Sequence, residues 1–350
     1  MQRTGQFPDF QAHCMANVLL TSVAKENPAD NSFARGCCTR LQESFRADRF
    51  GIHRLTDDPR QADLIIFCEI NEAGYYYEFV RQHPYFRAYR DKCFLFSSAD
   101  RFIPFLPGIY PSIERQNYRS DWTRSGCYLS ILENPYIEFA PLSGEEPYLY
   151  SFVGSLKNAP VRRRLVEINA SDGYIADTSD FALRISISGT REEREHFWKE
   201  FANLMRSSKF ALCPRGVGVG TIRLFEAMKM GRAPVVLADD WVPPDGPDWE
   251  ACILRVREDD YVRLPALLRE REAEAAALGL AARTQWEEWF SPPVIFHRVV
   301  EWCLDIQARR RTPFAALYAA AWLQLLRPEH AKNYLRTRYH LYRERGRLVF

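Results

Sequence analysis

The stretch of sequence that decides the fold reads Ser208-Lys-Phe-Ala-Leu-Cys-Pro-Arg-Gly-Val-Gly-Val-Gly-Thr-Ile-Arg-Leu-Phe-Glu-Ala-Met-Lys-Met-Gly231. Its apolar beginning, Lys209 to Cys213, predicts a buried strand, and the run from Thr221 to Met230 predicts a helix. The glycine-rich connection between them predicts a loop whose backbone can approach a ligand closely. Strand, glycine loop and helix in this order are typical of a doubly wound α/β fold.

The glycine loop and the helix start together predict an anion site. The free N–H groups and the positive end of the helix dipole would point into the loop, with Thr221 as the predicted cap. Such a helix start binds a phosphate or diphosphate. Two arginines, Arg215 and Arg223, add forked donors that suit phosphate oxygens. The loop residues predicted to contribute are Gly216, Gly218, Gly220 and Thr221.

Glu226 follows on the same helix, close in helical phase to Arg223. A carboxylate there can accept two hydroxyl hydrogen bonds from a ribose while the arginines hold the diphosphate. The stretch is not a P-loop, because Gly-Lys-Ser/Thr is absent, and it does not match a typical dinucleotide fingerprint. The alternative, a plain strand-to-helix connection of a doubly wound fold, stays open at this point.

Working outward, the sequence alternates predicted strands and helices, which indicates parallel sheets covered on both faces. The region Arg101 to Pro111, with three prolines and one glycine, predicts a loop. The predicted strands are 62–69, 92–98, 148–153, 181–188, 209–213, 233–237 and 252–256, and the predicted helices are 75–90 (broken at His83-Pro84), 161–169, 190–207, 221–230, 264–290, 314–326 and 331–345.

The length of 350 residues exceeds the usual size of one hydrophobic core, so two domains and a tail are predicted. The Gly, Glu and Pro residues near 144–147 mark the boundary. We therefore predict an N-terminal Rossmann-like domain over 1–146, a C-terminal Rossmann-like domain over 147–310 and a helical tail over 311–350.

Composition excludes several classes of protein. The net charge of +2 is too small for a general nucleic-acid field, so no nucleic-acid partner is expected. No apolar run approaches the ~20 residues that span a bilayer. Nine cysteines occur without a Cys-x-x-Cys pair, which indicates a reducing compartment. We expect a cytoplasmic protein.

Three segments resemble one known family. Phe210-Ala-Leu-Cys-Pro-Arg-Gly216, Arg223-Leu-Phe-Glu-Ala-Met228 and Gly231-Arg-Ala-Pro-Val-Val236 are similar to the signature of the exostosin-like glycosyltransferases. Flanking segments agree with it: Ser151-Phe-Val-Gly-Ser-Leu-Lys157 and Asp240-Trp-Val-Pro-Pro244 resemble the family's donor domain. The resemblance covers roughly 148–304 well and the N-terminal half loosely. It adds Gly154, Ser155, Lys157, Arg162 and Asp240 to the predicted donor site.

The resemblance implies a GT-B arrangement, in which two Rossmann-like domains face a cleft with the acceptor on the N-terminal side and the nucleotide sugar on the C-terminal side. It also implies an inverting transfer from a donor such as a UDP-sugar to a glycan or other hydroxyl acceptor, with no required metal or other cofactor. The chain has no Asp-Xaa-Asp, the carboxylate pair that holds a divalent ion in the other large glycosyltransferase fold. Arginines and the helix dipole would stabilise the departing diphosphate instead.

An inverting transfer needs a base to take the proton of the acceptor hydroxyl. Asp100, just past the predicted strand 92–98, is the first candidate, and Glu69, at the end of the strand before it, is the second. The family often shows a His-Asp pair near this place, whereas this chain has Ser98-Ala99-Asp100. Two alternatives therefore remain: a catalytically silent protein that binds sugar nucleotides or glycans, and a fucosyltransferase-like enzyme with a GDP-sugar donor.

The end of the chain is rich in arginine, with Arg336, Arg338, Arg343, Arg345 and Arg347 against Glu344 after Ala331. Tyrosine and arginine are favoured at anionic membrane surfaces, so peripheral contact with the inner face of a membrane is one reading. A solvated helix that packs back on the N-terminal domain is the other.

Overall fold

The computed structural model describes residues 14–23, 36–69, 77–100, 105–129, 133–168 and 170–345. Three predicted elements extend beyond these ranges: the first two residues of the helical segment 75–90, the first four of the loop 101–111, and residue 169 at the end of the predicted helix 161–169. The predicted helix 161–169 appears as α4 (Pro160–Arg164) followed by a 3-10 turn over Leu165–Ile168.

The first sheet has six parallel strands in the order β2-β1-β3-β4-β5-β6. Apolar residues fill β3 and β4 almost completely, as expected for strands buried on both faces. The predicted strands 62–69 and 92–98 are confirmed as β3 and β4. The bounds are β1 Asn17–Thr21, β2 Arg54–Leu55, β3 Leu64–Glu69, β4 Cys93–Ser97, β5 Gly108–Tyr110 and β6 Thr123–Ser125.

Alternate residues of this sheet face two different helical layers. One face, which includes Ile66 and Phe96, packs against α1 (Gly36–Ala47) and α11 (Pro292–Arg309). The other face, which includes Phe67 and Leu95, lies in a cluster with side chains of α2 (Glu78–Gln82), α3 (Pro84–Ala88) and α12 (Phe314–Ala321). His83, between α2 and α3, accepts the Tyr85 N–H through its ring, which confirms the predicted break at His83-Pro84.

The second sheet has five parallel strands in the order β11-β10-β9-β7-β8. The decisive stretch folds as predicted, with β9, a glycine loop and α7 in sequence. Two parallel sheets with helices on both faces confirm the predicted α/β class. The bounds are β7 Tyr148–Gly154, β8 Gly173–Asp177, β9 Ser208–Pro214, α7 Ile222–Met230, β10 Ala233–Leu237 and β11 Leu254–Arg255.

The remaining helices surround the second sheet and then return to the first. A capping box at Thr190 and Glu193 begins α6 where the sequence predicts a helix. After α10 the chain continues into α11, which packs against the helix α1 and against strands β5 and β6 of the first sheet. The remaining bounds are α5 Ala182–Ser188, α6 Arg191–Arg206, α8 Trp249–Cys252, α9 Leu264–Glu270, α10 Ala275–Trp289 and α13 Pro328–Arg345.

The two sheets share one hydrophobic cluster. It contains Val18 and Phe96 from the first sheet, Cys213 and Val236 from the second, and Phe296 from α11. Burial of such side chains stabilises the fold by roughly 25 cal/mol per Å² of apolar area removed from water. The two halves are therefore packed through a continuous core rather than joined by an open linker.

Two of the predicted strands and helices are wrong. The segment predicted as a strand over 181–188 is the helix α5, and the strand of this region is β8, slightly earlier in the chain. A short apolar run cannot be told from a helix by periodicity alone. Gly173 allows β8 to pair with β7 here, because a side chain at this position would overlap the ring of Tyr150 on β7. The second error is the single helix over 264–290, which is interrupted at Arg271 and forms α9 and α10.

The loop predicted over 101–111 contains the strand β5. Gly108 allows this strand, because a Cβ atom there would overlap the backbone carbonyl of Leu95 on β4. Proline and glycine usually indicate a loop, and here the glycine instead permits close strand pairing. Within the described ranges, no helix combines the length and the hydrophobicity that a membrane crossing needs.

Candidate functional site

The glycine loop between β9 and α7 lies against the first sheet's loops. A Cβ atom on Gly218 would overlap the backbone carbonyl of Asp100, and one on Gly220 would overlap the carbonyl of Pro111. The Gly220 N–H donates to the Ser112 hydroxyl at 2.8 Å. The sequence analysis predicted that these two glycines let the backbone approach a ligand. The structure corrects this: the glycines make room for protein backbone from the other half of the molecule.

Arg162 fixes the beginning of the glycine loop. Its guanidinium donates to three backbone carbonyls, those of Ser155 (3.3 Å), Pro214 (3.1 Å) and Arg215 (2.8 Å). The side chain is buried, and this burial, with the nearby charge of Arg223, lowers the pKa of Arg162 to about 10. Gly216 leaves room for it, since a Cβ atom there would be 3.1 Å from its Nη2. Arg162 therefore joins the ends of β7 and β9.

Arg215 is held by a carboxylate that the sequence analysis did not select. Its Nε donates to both carboxylate oxygens of Glu258, at 2.8 and 2.9 Å. Glu258 also accepts the N–H of Asp239, and its own N–H donates to the Asp239 carboxylate at 3.2 Å. These bonds involve the Nε of Arg215. Among the described residues, its two terminal nitrogens have no hydrogen-bond acceptor, so they are available to donate to an anion.

Arg223 and Glu226 form the ion pair that their helical spacing predicts. Arg223 Nη1 and Glu226 Oε2 are 2.5 Å apart, and Arg223 Nε donates to the Val153 carbonyl at 3.1 Å. The guanidinium also stacks on the ring of Phe201, 4.1 Å from its centroid. Both members of the pair are largely buried, so their orientation is well defined.

Thr221 occupies the N-cap position of α7, as predicted, but its side chain makes no cap hydrogen bond. The hydroxyl is buried and has no hydrogen-bond partner among the described residues. The predicted cap is thus correct in position and wrong in its bond. A buried hydroxyl at a helix start can donate to a bound anion.

Asp100 lies at the carboxyl end of β4, next to the glycine loop. The hydroxyl of Tyr128 lies near the Asp100 carboxylate and near Ser112, but it is buried and has no hydrogen-bond partner among the described residues. Burial, together with the negative charge of Asp100, raises the pKa of Tyr128 well above its usual range. The structure therefore brings the first candidate base to the predicted donor loop, and it adds a neutral tyrosine beside it.

Glu69, the second candidate base, is buried at the end of β3 and accepts hydrogen bonds from the segment of the same chain that follows β1. One carboxylate oxygen accepts the Val23 N–H at 2.8 Å, and the other accepts the Ser22 hydroxyl at 3.2 Å. These bonds hold the turn that follows β1. Because both carboxylate oxygens of Glu69 already accept hydrogen bonds from this turn, Glu69 is less available than Asp100 to receive a proton from an acceptor hydroxyl.

The other predicted donor residues are spread around the second sheet's carboxyl edge. Gly154 ends β7, and its carbonyl accepts the Thr178 N–H. Ser155 bonds to Asn158 and Ser179, and Lys157 pairs with Asp180 at 2.5 Å on the surface. Asp240 is exposed, and its carbonyl accepts the Arg115 N–H from the first half.

A cavity of about 160 Å³ lies between the two halves, beside α7. Its floor is apolar, and Glu226 and Tyr128 are both on its wall. Two ion pairs, Arg40–Glu43 and Lys229–Glu133, are among its lining residues. The volume suits one six-membered ring rather than a large ligand. The apolar lining includes Cys127, Leu129, Ile137, Ile222, Phe225, Trp286, Phe290, Pro292 and Ile295.

Among the described residues, one group could offer three ligand atoms to a metal: His53, His297 and Glu301, whose atoms lie within 4.8 Å of one another. The Ala16 N–H points at His53 Nδ1 at 3.3 Å, so the proton of His53 is on Nε2 and is donated to Glu301 at 3.0 Å. A ligating histidine normally donates its other N–H to an acceptor. His53 faces a donor instead, which fits a hydrogen-bonded pair and not a metal centre.

Three residues of this site were missed from the sequence: Ser112, Tyr128 and Glu258. Each follows a short strand of two or three residues, β5, β6 or β11. Functional side chains gather at the carboxyl ends of parallel strands. Recognising the preceding strand would therefore have pointed to each residue, but these strands are too short to show an alternating pattern of apolar residues.

The similarity to known proteins falls in the same region of the chain as this site. Residues 134–271 match the Exostosin GT47 domain. An exostosin-1 homolog of Caenorhabditis elegans is 35% identical over 80 residues, which are 22% of this chain and 21% of that protein. A probable glucuronosyltransferase of rice (Oryza sativa subsp. japonica), GUT1, is 41% identical over 66 residues, 18% of this chain and 16% of that protein. The matches thus span well under two thirds of these relatives.

A crystal structure of an alpha1,3-fucosyltransferase aligns with 88% of this chain and 95% of its own, at 13% identity and a TM-score of 0.39. The fold itself has two parallel sheets, and the helix α7 after the glycine loop carries the ion pair of Arg223 with the buried Glu226. Residues 134–271 thus match the family that the sequence motifs indicate, the exostosin-like glycosyltransferases.

Proposed function

We propose that this protein is an inverting glycosyltransferase that moves a sugar from a nucleoside diphosphate sugar to a hydroxyl group of a glycan or similar acceptor. The donor proposed first is a UDP-sugar. One observation carries the proposal: Asp100, the candidate base of the first half, lies against Gly218 in the candidate donor loop of the second half. An acceptor and a donor that bind on the two sides of this contact would meet at Asp100.

In this proposal the donor diphosphate lies at the start of α7. The terminal nitrogens of Arg215 and the buried Thr221 hydroxyl supply donors, and the helix dipole favours the negative charge. Arg162 and Arg223 are buried nearby and contribute positive charge, although their own hydrogen bonds go to protein groups. Such fixed charges stabilise a departing diphosphate without a metal ion. Metal independence is part of the proposal.

Glu226 is proposed to accept hydrogen bonds from the donor ribose. Arg223 bonds one of its carboxylate oxygens, which holds the side chain at the wall of the interdomain cavity. A carboxylate fixed in this way loses little side-chain entropy when it binds two hydroxyls. The nucleobase is not chosen by these contacts, so UDP and GDP are both tested below.

Asp100 is proposed as the base. The acceptor hydroxyl oxygen forms the new bond to the anomeric carbon, the bond from that carbon to the diphosphate oxygen breaks, and the hydroxyl proton passes to the Asp100 carboxylate. Because attack and departure occur on opposite faces, the anomeric configuration inverts. Tyr128, whose raised pKa keeps its hydroxyl neutral, lies beside Asp100 with that hydroxyl buried and unbonded among the described residues, so it could donate to a hydroxyl or carboxylate oxygen bound there.

The direct test is release of the nucleoside diphosphate from a panel of UDP-sugars and GDP-sugars, with and without EDTA. We expect Asp100→Asn to lower kcat by about a hundredfold to ten-thousandfold, because general-base catalysis contributes that much. Asp57→Asn, which removes an exposed acid of the first half, is the matched control and should leave kcat unchanged.

The outcomes separate the alternatives. If the protein binds a nucleotide sugar but neither transfers nor hydrolyses it, the chain is a silent binding protein and the transferase proposal is wrong. If EDTA abolishes turnover, metal independence is wrong. A guanosine donor that supports turnover when uridine donors do not would replace the UDP assignment with the fucosyltransferase-like one.

A further inference from the structure

The described end of the chain carries a concentration of exposed apolar side chains. Leu326 is 80% exposed and Leu335 is 66% exposed, and Leu323, Tyr339 and Tyr342 are also exposed. These are five of the thirteen exposed large hydrophobic residues of the described chain, and the other eight are scattered from Met15 to Leu280. Exposed apolar side chains concentrated in one segment in this way mark a candidate interaction site.

On α13 these side chains share one face with basic residues. Leu335, Tyr339 and Tyr342 are spaced by four and three residues, which places them on the same side of the helix. Lys332, Arg336 and Arg343 are exposed and fall in the same arc, about 120° wide at 100° per residue. We define the tail face as Leu323, Leu326, Lys332, Leu335, Arg336, Tyr339, Tyr342 and Arg343.

The opposite side of the tail is fixed to the first half of the protein. The ring of Trp322 lies 4.9 Å from that of Phe105, and Arg81 stacks on the same tryptophan at 4.9 Å. Arg338 pairs with Glu78 of α2 at 2.9 Å. The tail face is therefore presented outward from a packed surface, rather than being the core side of a helix.

The charge of the segment selects the partner. Residues 327–345 contain six arginines and lysines against two glutamates. Leucine with tyrosine and basic residues on one helix face is the composition of helices that lie in the interface of anionic membranes. Long basic side chains extend their charged ends toward lipid phosphates while their stems cover apolar surface.

We propose that the tail face docks on the surface of an anionic lipid bilayer. Phe105, which contacts Trp322, follows Asp100 by five residues, so docking would hold the acceptor side of the cleft near the lipid surface. This last consequence, an acceptor carried on a membrane lipid, rests on the proposed function. The docking itself does not.

The test is cosedimentation of the full chain with vesicles of phosphatidylcholine alone and of phosphatidylcholine mixed with phosphatidylglycerol, at low and high salt. We expect binding to the anionic vesicles that weakens with salt. The triple variant Lys332→Gln/Arg336→Gln/Arg343→Gln should lower the partition coefficient about a hundredfold, since each basic residue near an anionic surface contributes about fivefold. Leu323→Ser/Leu326→Ser should lower it to a similar extent.

The matched control is Val262→Ser/Leu280→Ser, which removes two exposed apolar residues from the second half and should bind vesicles like the unmodified chain. Nucleotide binding by the tail variants should be unchanged, which separates this proposal from the proposed function. Equal vesicle binding by all variants would overturn it, and so would absence of binding to anionic vesicles. Self-association that the tail variants abolish, without vesicle binding, would assign the face to a second copy of the chain instead.

Discussion

The backbone carbonyl of Asp100 packs directly on Gly218, so that any side chain at position 218 would overlap it. This contact joins the carboxyl end of a strand in the first sheet to the glycine loop of the second. The position of the candidate base is thus set by interdomain packing as well as by its own strand. Substitutions in the loop test this relationship without altering a charged group.

Gly218→Ala should destabilise the protein by about 3 kcal/mol, because the new methyl group meets backbone that cannot move aside. Gly216→Ala is the control: its methyl group would meet the end of the Arg162 side chain at 3.1 Å, and we expect a cost below about 1 kcal/mol. Urea unfolding of both variants measures the difference. Equal stabilities would show that the two halves do not depend on this close approach.

Arg162→Met should lower the free energy of unfolding by about 2–4 kcal/mol, because three backbone carbonyls lose their donor. Its neighbour Arg163 is exposed, so Arg163→Met serves as the comparison and should change stability by less than about 0.5 kcal/mol. Thermal and urea unfolding provide the measurement. If the two variants are equally stable, Arg162 does not hold the ends of β7 and β9 together.

His297 should make stability depend on pH in the mildly acidic range. Burial lowers its pKa from 6.5 to about 4, with Glu301 opposing the shift and His53 and Arg298 adding to it. A depressed histidine pKa means that the unfolded chain binds the proton more tightly than the folded one. The contribution is therefore present above pH 6.5 and is lost as the pH falls toward 4, by about 2–3 kcal/mol.

The variant His297→Phe keeps a ring to stack on Phe50, whose centroid is 4.0 Å from that of His297, and removes the titrating group. Urea unfolding of both proteins between pH 7 and pH 4 checks the prediction. The unmodified chain should lose stability more steeply than the variant over this range. Parallel curves would mean that His297 does not titrate as proposed.

The sequence predicted the parts of the site that lie on long, regular elements. The glycine loop, α7 and the Arg223–Glu226 pair follow from local spacing alone, since an i, i+3 pair is set by the helix itself. Contacts between distant segments were not predictable in this way. Gly218 against Asp100 and the His53–Glu301 bond depend on how two sheets and α11 pack, and no local pattern encodes that packing.

Short strands limited the rest. Arg215 was selected as a phosphate ligand, but its partner Glu258 follows a strand of only two residues, which gives no periodicity to recognise. The error over 181–188 has a similar origin, because an alternating apolar run of this length suits a helix or a strand equally. The strand of this region, β8, is instead permitted by Gly173, whose missing side chain lets β8 pair beside Tyr150.

The most direct test of the central claim is calorimetric titration of the protein with UDP and with GDP, repeated for Arg215→Gln and Glu226→Gln. We predict binding of one nucleotide by the unmodified chain and a loss of about tenfold to a hundredfold in each variant, because each removes a charged hydrogen-bonding group. Arg163→Gln, an exposed site of the same half, should bind normally. Unchanged affinity in both Arg215→Gln and Glu226→Gln would contradict the assignment of the donor site to the loop before α7.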